Sequence, residues 1–121
     1  MARILIIDDE AMIRDLLIKM LEREGYETMN ASDGKEGIRL YRENPADLII
    51  TDLIMPEKEG IETIMELRRD YQDVKVIAMS GGGKIDPGTY LQIAKTLGAI
   101  ETLAKPFDLK EVLKTVQELL E

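Results

Sequence analysis

Three aspartates set the chemistry open to this sequence: the adjacent pair Asp8-Asp9 and the distant Asp52. Each follows a short apolar run, Ile4-Leu5-Ile6-Ile7 before the pair and Leu48-Ile49-Ile50-Thr51 before the single acid. Runs of that length and character read as buried parallel strands. If the two strands are neighbours, the acids converge at one edge of a sheet, repel one another and require a cation. Hard oxygen ligands suit Mg²⁺, which binds a few carboxylates and keeps positions for water and phosphate. Two acids then hold the metal and the third serves as a nucleophile toward phosphorus. An aspartate has a reference pKa of about 3.9, so at neutral pH it needs no base to attack. It needs the charge of the incoming phosphoryl oxygens cancelled, which a metal ion and a lysine would do.

Lys105, at the end of a short strand and before Pro106, is the candidate lysine, and Ser80 ends another strand at the same expected edge. Each residue has a plainer explanation when taken singly. Aspartates cap helices, lysines mostly lie on the surface, and serines are common in turns. The set gains its meaning only if one fold brings all of it to one place. The triple glycine Gly81-Gly82-Gly83 does not make a phosphate loop, because Lys84 is followed by Ile85 where the pattern requires Ser or Thr. Met12, Met20, Met55, Met65 and Met79 read as gap-filling core or loop residues.

Strand and helix patterns alternate five times along the chain. Strands are predicted over 3–8, 26–31, 47–51, 74–79 and 101–104. The second and fifth are polar enough for sheet edges, carrying Glu27, Asn30 and Glu101. A helix is predicted over 10–24 with Ile13, Leu16, Leu17, Met20 and Leu21 at helical spacing and Gly25 as its stop. Ser32-Asp33-Gly34 starts a second helix that turns Ile38 and Tyr41 inward. A third follows the loop Met55 to Gly60, with Ile61, Ile64 and Met65. A fourth begins near Asp86-Pro87 and buries Tyr90, Ile93, Ala94 and Leu97 before stopping at Gly98. Asp108 caps a fifth, which buries Leu109, Val112, Leu113, Val116 and Leu120.

Such alternation implies a parallel sheet covered on both faces, with right-handed crossovers. The expected fold is α/β, a three-layer doubly wound (flavodoxin-like) five-stranded parallel sheet of order 2-1-3-4-5 with five helices. That order makes strands 1 and 3 neighbours and places the switch point between them, where ligands bind outside the strand C-termini. Asp8, Asp9 and Asp52 fall at that point.

Composition narrows the function. A chain of 121 residues, with 45% hydrophobic and 33% charged residues, is expected to form one domain over 1–121 with no output domain. The net charge of -8 argues against a nucleic-acid surface. The absence of cysteine excludes disulfides and thiol chemistry and fits a reducing compartment. The N-terminal apolar run is too short for a signal peptide or membrane span and ends in Asp8-Asp9-Glu10.

Together these residues resemble the receiver domain of two-component response regulators, the fold of the chemotaxis regulator. The resemblance spans essentially the whole chain. It rests on Ile7-Asp8-Asp9-Glu10, Thr51-Asp52 with Met55-Pro56 and Gly60, Ser80, and Lys105-Pro106-Phe107. It implies a stand-alone receiver in which Asp52 accepts a phosphoryl group from a phosphohistidine on a sensor histidine kinase or histidine phosphotransfer protein. Asp8, Asp9, Asp52 and the backbone carbonyl of Ile54 would ligate Mg²⁺, and Ser80 and Lys105 would bind the phosphoryl oxygens. The protein would catalyse only its own phosphotransfer and dephosphorylation. It would switch a surface made by the fourth helix, fifth strand and fifth helix toward a downstream protein. A cytoplasmic monomer or weak dimer follows, with no nucleic-acid or membrane partner.

Four positions depart from the family pattern. Thr102 stands where an inward-turning aromatic is usual, three residues before Lys105. Ile54 and Gly82 occupy the two positions that tune acyl-phosphate lifetime, and neither side chain can hold an attacking water. Slow to moderate self-dephosphorylation is expected, and an unchanged half-life in Ile54→Asn would count against it. Glu59 replaces the commoner Asp.

Other functions make different demands. A pseudo-receiver would have lost Asp52, Asp8, Asp9 or Lys105, and none is lost. An aspartyl-phosphate phosphatase would need a second acid or base and a substrate cap, whereas the chain has no histidine and no insertion for one. A flavodoxin-like cofactor binder would need a phosphate-cradling loop where Asp8-Asp9-Glu10 stands.

Overall fold

The computed structural model describes residues 2–53, 60–80, 92, 95–96, 98–104 and 108–120, with the backbone alone at Ile61, Ser80 and Ala104. Five parallel strands form one sheet of order β2-β1-β3-β4-β5. They are β1 (Arg3–Ile7), β2 (Glu27–Ala31), β3 (Leu48–Asp52), β4 (Val76–Ser80) and β5 (Glu101–Ala104). The helices are α1 (Ala11–Arg23), α2 (Gly34–Glu43), α3 (Gly60–Asp70) and the C-terminal α4 (Leu109–Leu120). The helix predicted from Asp86 falls largely outside the described residues, as do Tyr90, Ile93, Ala94 and Leu97. Gln92, Lys95 and Thr96 are described and are helical.

The alternation of side chains along a strand builds two cores from one sheet. Leu5, Ile7 and Ile49 face one side, where Ile38 and Tyr41 of α2 and Ile64 and Leu67 of α3 cover them. Ile4, Ile6, Leu48, Ile50, Ile77 and Met79 face the other, against Leu17 and Leu21 of α1 and Val112 and Val116 of α4. The central strands β1 and β3 are therefore apolar on both faces, with Ile4 to Ile7 and Leu48 to Ile50 fully buried. Full burial of each such side chain contributes about 1.5–3 kcal/mol. The edge strand β2 keeps Glu27 and Asn30 exposed, as its composition predicts.

Local signals set the helix ends. Asp33 caps α2, its Oδ1 accepting from the Glu36 amide at 2.8 Å. Asp108 Oδ1 accepts from the Lys110 amide at 2.9 Å ahead of α4. Gly25 follows α1 with φ 92°, a left-handed conformation that costs glycine little. Arg42 of α2 ties α3 in place with bonds to Glu66 at 3.0 Å and Asp70 at 2.8 Å.

Three apolar expectations are corrected. Met12 is 74% exposed, Met65 52% and Leu16 44%. A helix packed on a sheet buries only a narrow stripe. In α1 that stripe is Leu17 and Leu21, flanked by half-buried Ile13 and Met20. Leu16 and Met12 lie one turn apart, outside it.

Candidate functional site

The register of the sheet aligns the acids. Ile4 pairs with Leu48 and Ile7 with Thr51, so Asp8 and Asp52 are the next residues on adjacent parallel strands. Asp52 pairs across with Met79, and Ser80, one residue on, pairs with Ala104. Asp8, Asp52, Ser80 and the end of β5 therefore lie in sequence along the C-terminal edge. Lys105 follows Ala104 directly in the chain, but Lys105 and Ile54 themselves lie outside the described residues, as do Gly82 and the Met55-to-Glu59 loop.

Asp8 is fully buried and Asp52 is 6% exposed. Burying a carboxylate is costly unless hydrogen bonds or a cation compensate it. The structure supplies hydrogen bonds to both. Asp8 Oδ1 accepts from the Glu10 amide at 2.9 Å, closing a tight turn at the start of α1. Asp52 Oδ1 accepts from the Leu53 amide at 2.9 Å. Asp8 thus holds a turn ahead of α1, a local role that does not exclude a second. Glu10 occupies the N-cap position of α1, and its own amide is the donor to Asp8.

Around Asp52 the backbone is tightly held. Buried Thr51 donates from its hydroxyl to the Asp52 carbonyl at 3.0 Å. The Leu53 amide also donates to the Met79 carbonyl at 3.0 Å, and the Gly60 amide donates to the Leu53 carbonyl at 2.9 Å. The first residue of α3 is thereby seated directly on the end of β3.

Carboxylate oxygens of Asp8, Asp9 and Glu10 lie within 4.8 Å of one another, with Asp8 buried and the other two exposed. This donor set is all hard oxygen and anionic, which fits Mg²⁺ and not a softer metal. The convergence expected of Asp8 and Asp9 is present. Glu10 joins them although the sequence reading gave it no ligand role, and Asp52 stands level in the sheet but outside that tight group. Arg14 is a further neighbour missed in the sequence. Its Nη1 donates to the Asp8 carbonyl at 2.6 Å. Its spacing, one helical turn past Glu10, placed it near the turn without indicating that bond. Thr102, at the usual aromatic position, is half-buried on β5 opposite Ala78.

Residues 4–117 match the family described as response regulator receiver domain. Over 118 residues the chain is 34% identical to sporulation initiation phosphotransferase F of Bacillus subtilis, covering 98% of this chain and 93% of that protein. It is 32% identical over 120 residues to transcriptional regulatory protein CpxR of Escherichia coli K12, covering 99% of this chain but 50% of that one. It thus spans about half the length of several of the curated relatives it matches. A response regulator receiver domain protein from Clostridium thermocellum superposes with a TM-score of 0.90 at 31% identity, covering 99% of this chain and 94% of that one. Chemotaxis protein CheY4 of Vibrio cholerae superposes with a TM-score of 0.86 at 31% identity and 98% coverage of both chains.

Proposed function

The chain belongs to the response regulator receiver domain family, whose members accept phosphoryl groups on aspartate in phosphorelay signalling, and on that premise we propose that Asp52 is its phosphoacceptor. The observation that carries the proposal is the register that sets Asp52 level with Asp8 at the sheet edge, beside the Asp8-Asp9-Glu10 carboxylates. In the proposed reaction an Asp52 carboxylate oxygen forms a bond to phosphorus as the P–N bond of a phosphohistidine breaks. The imidazole leaves with the electron pair and takes up a proton, and Asp52 becomes an acyl phosphate.

Receiver domains bind Mg²⁺ at an acidic pocket, and the oxygen donors present here fit that ion. Asp8, Asp9, Asp52 and the Ile54 carbonyl would hold it, and when bound it would neutralise charge on the phosphoryl oxygens. The Lys105 ammonium and Ser80 hydroxyl would bind those oxygens in turn. Buried Thr51 and Gly60 keep the Asp52 backbone fixed, so the nucleophile is oriented before the donor arrives.

The chain is similar to the Bacillus phosphotransferase over 93% of that protein's length. The donor would be a sensor histidine kinase or histidine phosphotransfer protein, met in the cytoplasm, and the recipient of the signal a separate protein. No described helix is long and apolar enough to cross a membrane. The activity is self-phosphorylation and self-dephosphorylation, without turnover of another substrate. Intact mass after incubation with acetyl phosphate and Mg²⁺ tests the proposal. The wild type should gain one phosphoryl group, and Asp52→Asn or removal of Mg²⁺ should abolish the gain. A gain that persists in Asp52→Asn would refute the assignment.

A further inference from the structure

Arg14 lies outside the acidic set yet is bonded to its backbone. The Asp8 residue is held at three points. Its amide donates to the Ala31 carbonyl at 3.1 Å, tying it to the end of β2. Its Oδ1 accepts from the Glu10 amide at 2.9 Å. Its carbonyl accepts from Arg14 Nη1 at 2.6 Å, which ties the turn to the first full turn of α1. A charged donor makes this bond stronger than a neutral one would be. Arg14 thus links α1 back to Asp8 alongside the bond from the Glu10 amide.

We propose that Arg14 is a positioning residue for the divalent cation: its guanidinium fixes the Asp8 peptide so that the Asp8 and Asp9 carboxylates stay convergent before a metal arrives. This rests on the reading of that turn as metal-holding. Two effects of Arg14 oppose each other. Its charge offsets repulsion among the carboxylates and its bond orients them, which favours metal binding. The same charge repels a divalent cation, but Arg14 is only half-buried, so water and salt screen that repulsion. Loss of an outer partner that orients a ligand typically weakens metal affinity about 10–100-fold, so orientation prevails.

The test is calorimetric titration of Mg²⁺ at constant ionic strength into the wild type, Arg14→Met and Arg14→Lys, with urea unfolding run on each. Arg14→Met should bind Mg²⁺ about tenfold more weakly. Arg14→Lys, which keeps the charge and a donor, should recover most of that loss. A merely structural Arg14 would lower the urea midpoint and leave the Mg²⁺ affinity of the folded protein unchanged. Equal or tighter binding by Arg14→Met therefore overturns the inference and leaves the metal site standing. Absence of binding by the wild type would overturn the metal site itself and the inference with it. If Arg14→Met does not fold, Arg14→Gln takes its place under the same criterion.

Discussion

Replacing Gly60 with alanine tests how closely α3 is seated against the acceptor strand. A Cβ at Gly60 would lie 2.6 Å from Leu53 Cα and 2.9 Å from the Asp52 carbonyl carbon, with the Asp52 carbonyl oxygen nearer still. Unstrained carbon contacts lie at about 3.5–4.0 Å, so the two backbones must separate by about 1 Å. All three of these nearest atoms are backbone, which cannot yield as a flexible side chain can. The described glycines with positive φ are Gly25 and Gly98, so the demand at Gly60 is for space and not for an unusual backbone conformation. Overpacking costs about 1–3 kcal/mol, and backbone on both sides of the contact puts this case at the upper end. Better helix propensity returns at most about 1 kcal/mol. The net loss is about 2 kcal/mol, or about 8 °C in Tm for a domain of this size. Because the strain falls on Asp52 itself, phosphorylation should slow at least tenfold, in keeping with losses of about 10²-fold for a 1 Å misplacement. Circular dichroism melting and the rate of acetyl-phosphate labelling measure the two effects. A Tm within about 2 °C of wild type and an unchanged rate would refute the reasoning.

Two contrasts follow for the helices. Leu17→Ala should cost about 2–5 kcal/mol because the side chain is fully buried, whereas Met12→Ser on the same helix should stay within about 0.5 kcal/mol. Urea titration of both variants checks this, and similar losses would contradict the burial assigned to α1. The Asp70 carboxyl is held below its ordinary value of 3.8, first by its hydrogen bond to Arg69 and then by that to Arg42. A folded-state value depressed in this way gives stability that is present above the unfolded value and lost as pH falls through the folded one. Asp70→Asn should therefore lower the urea midpoint slightly at neutral pH, and the difference should disappear well below pH 3.8. Because these groups are exposed, high salt should also narrow it. A difference that survives in acid would point to packing in place of charge.

Much of the fold was legible because strands buried on both faces have an unambiguous signature. Ile4 to Ile7 and Leu48 to Ile50 are uninterrupted apolar runs, and the polar Glu27 and Asn30 mark an edge. The strand order, and with it the placing of Asp8 beside Asp52, follows from those two facts and the handedness of crossovers. Strand ends shifted by a residue or two: β3 extends through Asp52, and β4 begins at Val76 although Val74 was expected to open it. Pairing decides such ends, and pairing is not local to a sequence. Leu16, Met12 and Met65 were misread because helical spacing shows which residues share a face and not how wide a stripe the sheet covers. Asp33 was legible as a cap because its partner, the Glu36 amide, is three residues away. The bond from Arg14 to the Asp8 carbonyl was not, since it depends on how the turn at Asp8-Asp9 directs that carbonyl toward the helix.

The acyl phosphate itself offers the most direct measurement. After labelling with acetyl phosphate and Mg²⁺, borohydride reduction converts a phosphorylated aspartate to homoserine, and peptide mass spectrometry locates it. Homoserine at position 52 alone is the predicted result. Homoserine at position 8 or 9, or none after labelling by both acetyl phosphate and a phosphohistidine donor, would contradict the account.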